Sequence, residues 1–323
     1  MADHSFVYAV ARIRSMETKL FSESEIEQLL ACRTYENCVS FLTERGWGLS
    51  GQALDADSIL KCESEKTWKA IRELKVDMSV FDILSFQNLY HNLKAAIKET
   101  CTGSPGANIY FSNTSVPKEE MIRIVREKDF KSLPEHMQEA ANEALETMLQ
   151  TRDGQLCDII IDRALLETIR RTGDVSKDAM IRSYANIIVT LADIRIAVRA
   201  AKAGKNRQFL ERALSPCDAL NLDKLIRAAV SGVEAVCTYL IEEGFSDAVD
   251  CLKKSNSAFE RWCDNRIIYT IQSQKYQSFS AGPLLAYVLA RENEIKTVRM
   301  ILTGKQNELS EDAIRERVRV MYV

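Results

Sequence analysis

The side chains able to do chemistry in this chain are its histidines, cysteines, acids and lysines, and their spacing decides which chemistry is open to them. The histidines are His4, His91 and His136. None stands in a His-Glu-x-x-His frame, where two imidazoles one helical turn apart share a metal. A nucleophilic cysteine or serine needs a base oriented by a third group, and histidines this far apart supply no such set. The nine cysteines stand at 32, 38, 62, 101, 157, 217, 237, 251 and 263, with no Cys-x-x-Cys pair. An odd number scattered through helical stretches reads as reduced thiols packed as small hydrophobes, as in a reducing compartment.

A phosphate-binding loop needs clustered glycines followed by Lys-Ser or Lys-Thr, so that backbone amides converge on the anion. Gly204-Lys205 and Gly304-Lys305 lack both the upstream glycine and the downstream hydroxyl, and read as helix ends followed by a solvated lysine. Glu292 and Glu294 lie two residues apart, so a helix sends them to different sides and they form no shared carboxylate pair. The sequence therefore predicts no catalytic residue, no cofactor-binding residue and no metal ligand.

The chain has 323 residues, of which 46% are hydrophobic and 28% charged, with a formal net charge of -3. Those proportions suit a protein that buries a core, and the charge gives no positive field for nucleic acid. No secretory leader is expected, because Asp3 and His4 precede no long apolar run. The longest apolar runs, residues 184–191 and 283–290, are followed by Asp193 and Arg291, well short of the roughly 18 residues that a membrane-spanning helix requires.

The elements that must position these residues are helices. Only twelve glycines and five prolines punctuate the whole chain, and alternating strand patterns bounded by turns are hard to find. Helices are predicted over residues 6–20, then from Ser22, whose hydroxyl and Glu25 form a capping box. Further helices follow from Tyr35 to Gly46 and Gly48, over 55–75 and over 80–102.

An internal repeat organises the rest. NLKAAIKETCTG begins at Asn92, DIRIAVRAAKAG at Asp193 and NEIKTVRMILTG at Asn293, a period of about 100 residues. Each copy opens on a short polar residue and carries Ile97, Val198 or Val298 before Lys98, Arg199 or Arg299. Each then ends on Gly103, Gly204 or Gly304, where a left-handed helix cap is sterically free. In the first two copies Tyr90, Leu93 and Ile97 match Leu191, Ile194 and Val198 as one apolar stripe.

The third copy places Arg291 and Glu294 where the others have apolar side chains, and its stripe runs through Leu285, Val288, Ile295, Val298 and Leu302. Arg291, Glu292, Glu294 and Arg299 are accordingly the expected partner-facing residues, and His91 with Asn92 an expected interhelical polar contact. Short helices are predicted after each copy, at 118–127, 222–229 and 309–321, with 22–31 as an earlier member of that set. The basic-apolar run 315–323 reads as an amphipathic closing helix. The expected organisation is all-α in three units, 1–110, 111–212 and 213–323, the last closed by that helix.

Three stretches carry a family resemblance: PLLAYVLARENEIKTVRMILTG from Pro283, FQNLYHNLKAAIKETCTG from Phe86, and FVYAVARIRSMETKLFSESEIEQLL from Phe6. Together they resemble the C subunit of bacterial and archaeal V/A-type ATPases, whose counterpart in eukaryotic vacuolar ATPases is the d subunit, along essentially the whole chain. The resemblance implies three similar helical subdomains in a pseudo-threefold funnel. It implies a non-catalytic part, one copy per complex, peripheral on the cytoplasmic face of the membrane. Its partners would be the central-stalk subunits and the proteolipid ring, with no small-molecule substrate, and its task the passing of torque for proton or sodium transport or for ATP synthesis. A helical-repeat scaffold unrelated to a rotary ATPase is the alternative.

Overall fold

Every regular element described is helical, and the boundaries follow local capping chemistry. The computed structural model of the chain describes residues 6–49, 55–103, 109–111 and 114–323; His4 and Pro105 lie outside them. The first helices are α1 (Val7–Glu17), α2 (Glu23–Ala31), α3 (Tyr35–Glu44), α4 (Ala56–Glu73) and α5 (Asp82–Thr102). Then come α6 (Lys118–Glu127), α7 (Glu135–Thr151), α8 (Gly154–Val175), α9 (Ala179–Lys202), α10 (Arg207–Ala213) and α11 (Leu222–Ser231). The chain ends with α12 (Val233–Glu242), α13 (Ser246–Lys254), α14 (Asn256–Ile271), α15 (Gly282–Gln306) and α16 (Glu311–Arg315). Among the described residues there is no strand.

The capping box at α2 forms as expected: Glu25 N–H donates to Ser22 Oγ, and Ser22 N–H donates to Glu25 Oε2 at 2.8 Å. Thr34, Asp55, Asn206, Asn221, Ser255 and Ser310 accept from the third amide of the helices that they precede, each satisfying a donor with no intrahelical partner.

The chain divides into two compact units, one of residues 1–80, 178–184 and 245–323, the other of residues 81–177 and 185–244. In the first unit α15 is the axis. It packs against α1, α2, α3, α4, α14 and α16, and from Gly282 to Arg291 each of its residues is buried. An amphipathic stripe cannot describe such a segment; a helix enclosed on all sides is apolar all round. Phe21, Leu29, Leu42, Ile59, Ile301 and Leu302 belong to the core formed around its second half.

In the second unit α8 packs on α5, α7 and α10, and α11 on α12. Tyr90, Leu93 and Ile97 of α5 and Leu191, Ile194 and Val198 of α9 are all buried, so the stripe shared by the first two copies is a core stripe in both. The nine cysteines are free thiols, and burial pushes Cys38 up to about 12.

Two expectations about helix ends need correction. Gly103 and Gly204 have φ of +68° and +61°, left-handed positions at which glycine avoids a steric cost. Gly304 instead lies inside α15, which continues to Gln306. Its lack of a side chain serves packing: a Cβ there would stand 2.6 Å from Ile314 Cγ1 of α16. The closing helix is also shorter than expected, because α16 stops at Arg315. Beyond it the backbone of Val320 is held by side chains, its C=O accepting from Asn293 Nδ2 and its N–H donating to Asn265 Oδ1, both at 3.0 Å. With Val320 engaged in this way and Met321 and Tyr322 buried, the tail does not need a helix to satisfy these groups.

Replacing Gly304 by alanine should lower stability by about 1–3 kcal/mol through overpacking, and Gly204→Ala, with open space around it, by about 1 kcal/mol through backbone strain alone. Urea denaturation of Gly304→Ala, Ile314→Ala and the double variant checks this. The double should lose less than the two singles together; strict additivity would show that the two side chains do not compete for that space.

Candidate functional site

The densest cluster of charged chemistry lies inside the first unit. Arg291 of α15 is 7% exposed, Glu294 0% and Glu63 of α4 5%. The guanidinium donates through Nη2 to Glu63 Oε2 at 2.6 Å, through Nη1 to Glu294 Oε2, and through Nε to Thr67 Oγ1 at 3.4 Å. Glu294 Oε1 also accepts from Phe21 N–H. Glu63 Oε1 accepts from Gly48 N–H at 2.9 Å and from Lys66 Nζ at 2.6 Å. Two cations and two carboxylates thus form a neutral chain in which every carboxylate oxygen has a donor, the condition under which buried charge is tolerated.

Aromatic rings close the cluster. The Arg291 guanidinium lies 5.0 Å from the centroid of Trp47, and Trp47 stacks on Phe21 at 5.2 Å. Burial opposes the charge on Arg291, but Glu294, Tyr287 and Glu63 more than offset it and hold its pKa above the usual arginine value. Loss of hydration pushes the Glu294 carboxyl up, while Arg291 and the Phe21 N–H pull it back. A second cross-tie joins α14, α15 and the tail: Asp264 accepts from Lys296 Nζ at 2.6 Å and from Arg319 Nη2 at 2.7 Å. Burial raises its pKa, and these cations outweigh burial, so Asp264 lies below the usual carboxylate range.

The polar residue that opens each repeat copy acts as a staple to the chain that follows it. Asn92 donates to Phe111 C=O and accepts from Phe111 N–H, both at 2.9 Å. Asp193 accepts from Ser215 N–H at 3.1 Å, and Asn293 holds Val320 through the bond already given. All three are buried. His91 Nε2 lies 2.9 Å from Ile109 C=O. The expected interhelical contact of His91 and Asn92 is therefore a tie between a helix and the returning connector.

The four residues expected to face a partner divide by helical phase. Arg291 and Glu294, three apart, point inward and are interior, which corrects the expectation for both. Glu292, Lys296 and Arg299 recur at the i, i+4, i+7 spacing of the opposite face and are exposed. Arg299 Nη1 pairs with Asp57 at 2.5 Å at the surface.

In the second unit a cleft of about 340 Å³ is lined by His136, Glu143, Arg163, Glu167, Arg171 and Arg212, among others. Its charges are largely spent on one another, Arg163 on Glu167 at 2.8 Å and Arg212 on Glu143 at 3.1 Å. His136 Nδ1 lies 3.0 Å from Tyr90 Oη, and burial, then Arg171, lowers its pKa. Among the described residues no three His, Cys, Asp or Glu side chains converge as metal ligands. No described helix is long and apolar enough to cross a membrane.

Sequence reasoning missed Glu63 as the second partner of Arg291. The available signal was an Arg-x-x-Glu pair following eight uncharged, mostly apolar residues, a place where charge is buried only if matched.

Among the described residues the chain is all-α, and the Arg291 and Asp264 clusters tie helix to helix. The chain belongs to the ATP synthase (C/AC39) subunit family, whose sequence model matches residues 9–317, and membership makes it a subunit of a V-type or A-type ATPase. It is 22% identical over 317 residues to the C subunit of the V-type sodium ATPase of Enterococcus hirae, covering 96% of this chain and 97% of that one. It is 21% identical over 346 residues to the C subunit of the A-type ATP synthase of Methanocaldococcus jannaschii, covering 96% and 85%. With the corresponding A-type ATP synthase protein of Halobacterium salinarum it shares 22% identity, covering 96% of each.

Arg291→Met leaves the buried Glu294 without a cation and takes one of two from Glu63, and should cost about 3–5 kcal/mol. Arg299→Met, which removes an exposed pair, should cost at most about 1 kcal/mol. Chemical denaturation of both variants compares them, and equal losses would contradict the division of α15 into inner and outer charges.

Proposed function

We propose that this chain is the non-catalytic coupling subunit of a rotary V/A-type ATPase, a peripheral part on the cytoplasmic face that joins the central stalk to the membrane proteolipid ring. One copy serves each complex. The observation that carries this reading is the near full-length match to the C subunits of a V-type sodium ATPase and of A-type ATP synthases.

The interior supports the same reading. A part that transmits torque must pass strain on without absorbing it, and close-packed interiors have low compressibility. Enclosure of α15, the Arg291 ion chain and the three staples all resist sliding of one element on another. The near-100-residue period is the basis for proposing three similar helical subdomains, 1–110, 111–212 and 213–323, in a pseudo-threefold funnel. The candidate partner-facing residues are Glu292 and Arg299, on the exposed stripe of α15.

In membranes from cells lacking the chain, ATP hydrolysis by the remaining head should persist while ATP-driven ion transport is lost, and adding the purified chain should restore transport. ATP turnover by the purified chain alone, or failure to recover stalk and ring subunits with it, would overturn the proposal. Glu292→Lys with Arg299→Glu should weaken assembly at least tenfold while leaving the melting temperature within about 2 °C; a misfolded variant would refute that assignment.

A further inference from the structure

Of the three staples, the middle one differs in chemistry. Asn92 and Asn293 each offer an amide donor that reaches a backbone carbonyl. At the matching position Asp193 offers two oxygens and is 0% exposed. Oδ1 accepts from Ser215 N–H, but Oδ2 is buried without a hydrogen-bond partner, as is Ser215 Oγ. One amide donor is too little to hold an ionised carboxylate away from water; such groups usually need two or three donors or a close cation.

The cation within range is Arg163 of α8, whose guanidinium already donates to Glu167 at 2.8 Å and to Glu211 C=O at 2.7 Å and which remains partly solvated. The other titratable group bearing on Asp193 is the Cys217 thiol, itself pushed upward, first by burial. Arg195 lies two residues further along α9 and so projects from a different side. The segment pinned here is the 214–221 connector between α10 and α11. It is also tied by Asp218 N–H to Asn186 Oδ1 at 3.3 Å and by Asn221 N–H to Tyr239 Oη at 2.7 Å.

We propose that Asp193 keeps its proton in the native protein from mildly acid conditions up to about neutral pH, standing in for the asparagine of the other two copies, and that proton loss loosens the connector it pins. Burial, opposed by Ser215 N–H and Arg163, raises its pKa to about 7, in keeping with that geometry. A carboxyl whose pKa is higher folded than unfolded binds more protons in the folded state. Its contribution to stability therefore falls as pH rises from about 4 to about 7 and is flat above. This inference stands independently of the coupling role.

The test compares the full chain with Asp193→Asn in urea denaturation from pH 4 to 9. Relative to the variant, the wild-type folding constant should fall about tenfold per pH unit through that window, and the variant should be the more stable at pH 8. Parallel pH profiles would overturn the proposal. Should Asp193→Asn not fold, the carboxyl carbon signals of aspartate-labelled wild-type protein decide. One signal with a midpoint near pH 7 supports the protonated staple, and midpoints all below pH 5 overturn it.

Discussion

A single guanidinium held between two buried carboxylates sets the terms for the first unit. Arg291 reaches from α15 to Glu63 on α4 and to Glu294 on its own helix, and those carboxylates collect the amides of Phe21 and Gly48. Four separate stretches of chain therefore meet at one charge. Their mutual position is fixed by direction as well as by burial, since a guanidinium fork donates to its partners in its own plane. Hydrophobic packing alone gives no such registry, because apolar contacts are tolerant of small slides. Lys66 completes the balance at the rim, so the interior does not carry an excess negative charge.

The staples apply the same logic on a smaller scale. Where a long helix is followed by irregular chain, the returning backbone carries polar groups that would be lost on burial. A short amide or carboxyl side chain near the middle of α5, α9 and α15 meets that need and at the same time locks the return in place. In the first unit the enclosure of α15 and the ties made by Arg291 and Asn293 oppose sliding of one helix on another, which is the mechanical property that the proposed coupling role asks for. In the cleft of the second unit His136, Arg163 and Arg212 likewise spend hydrogen bonds on neighbouring side chains.

Helix type and extent were legible because they are local. The capping box at Ser22 and Glu25, α6 from Lys118 to Glu127 and the long α4 and α5 follow from spacing within one turn or stripe. Gly103 and Gly204 were legible for the same reason, each being a backbone position marked by its own residue type. Gly304 was not: its reason for being glycine is Ile314, ten residues away on another helix, and the same residue type served packing instead of a cap. Nor could the sequence pair Arg291 with Glu63, which stands 228 positions distant; without the third dimension, a charge on an apolar face can mean either a partner outside or a match inside.

That ambiguity is resolved by phase along α15. A helix turns about 100° per residue, so Arg291 and Glu294 share one azimuth with Val298 and Ile301, while Glu292, Lys296 and Arg299 share the opposite one with Thr303. The inner set lies among core side chains and must be neutralised within the fold; the outer set lies in water, where each pair contributes little to stability. Charges that contribute little to folding are free to serve recognition, because changing them leaves the fold standing. In the coupling role proposed above, the outer stripe is where this helix can hand force to a neighbour, and the inner one is what keeps the helix from yielding when it does.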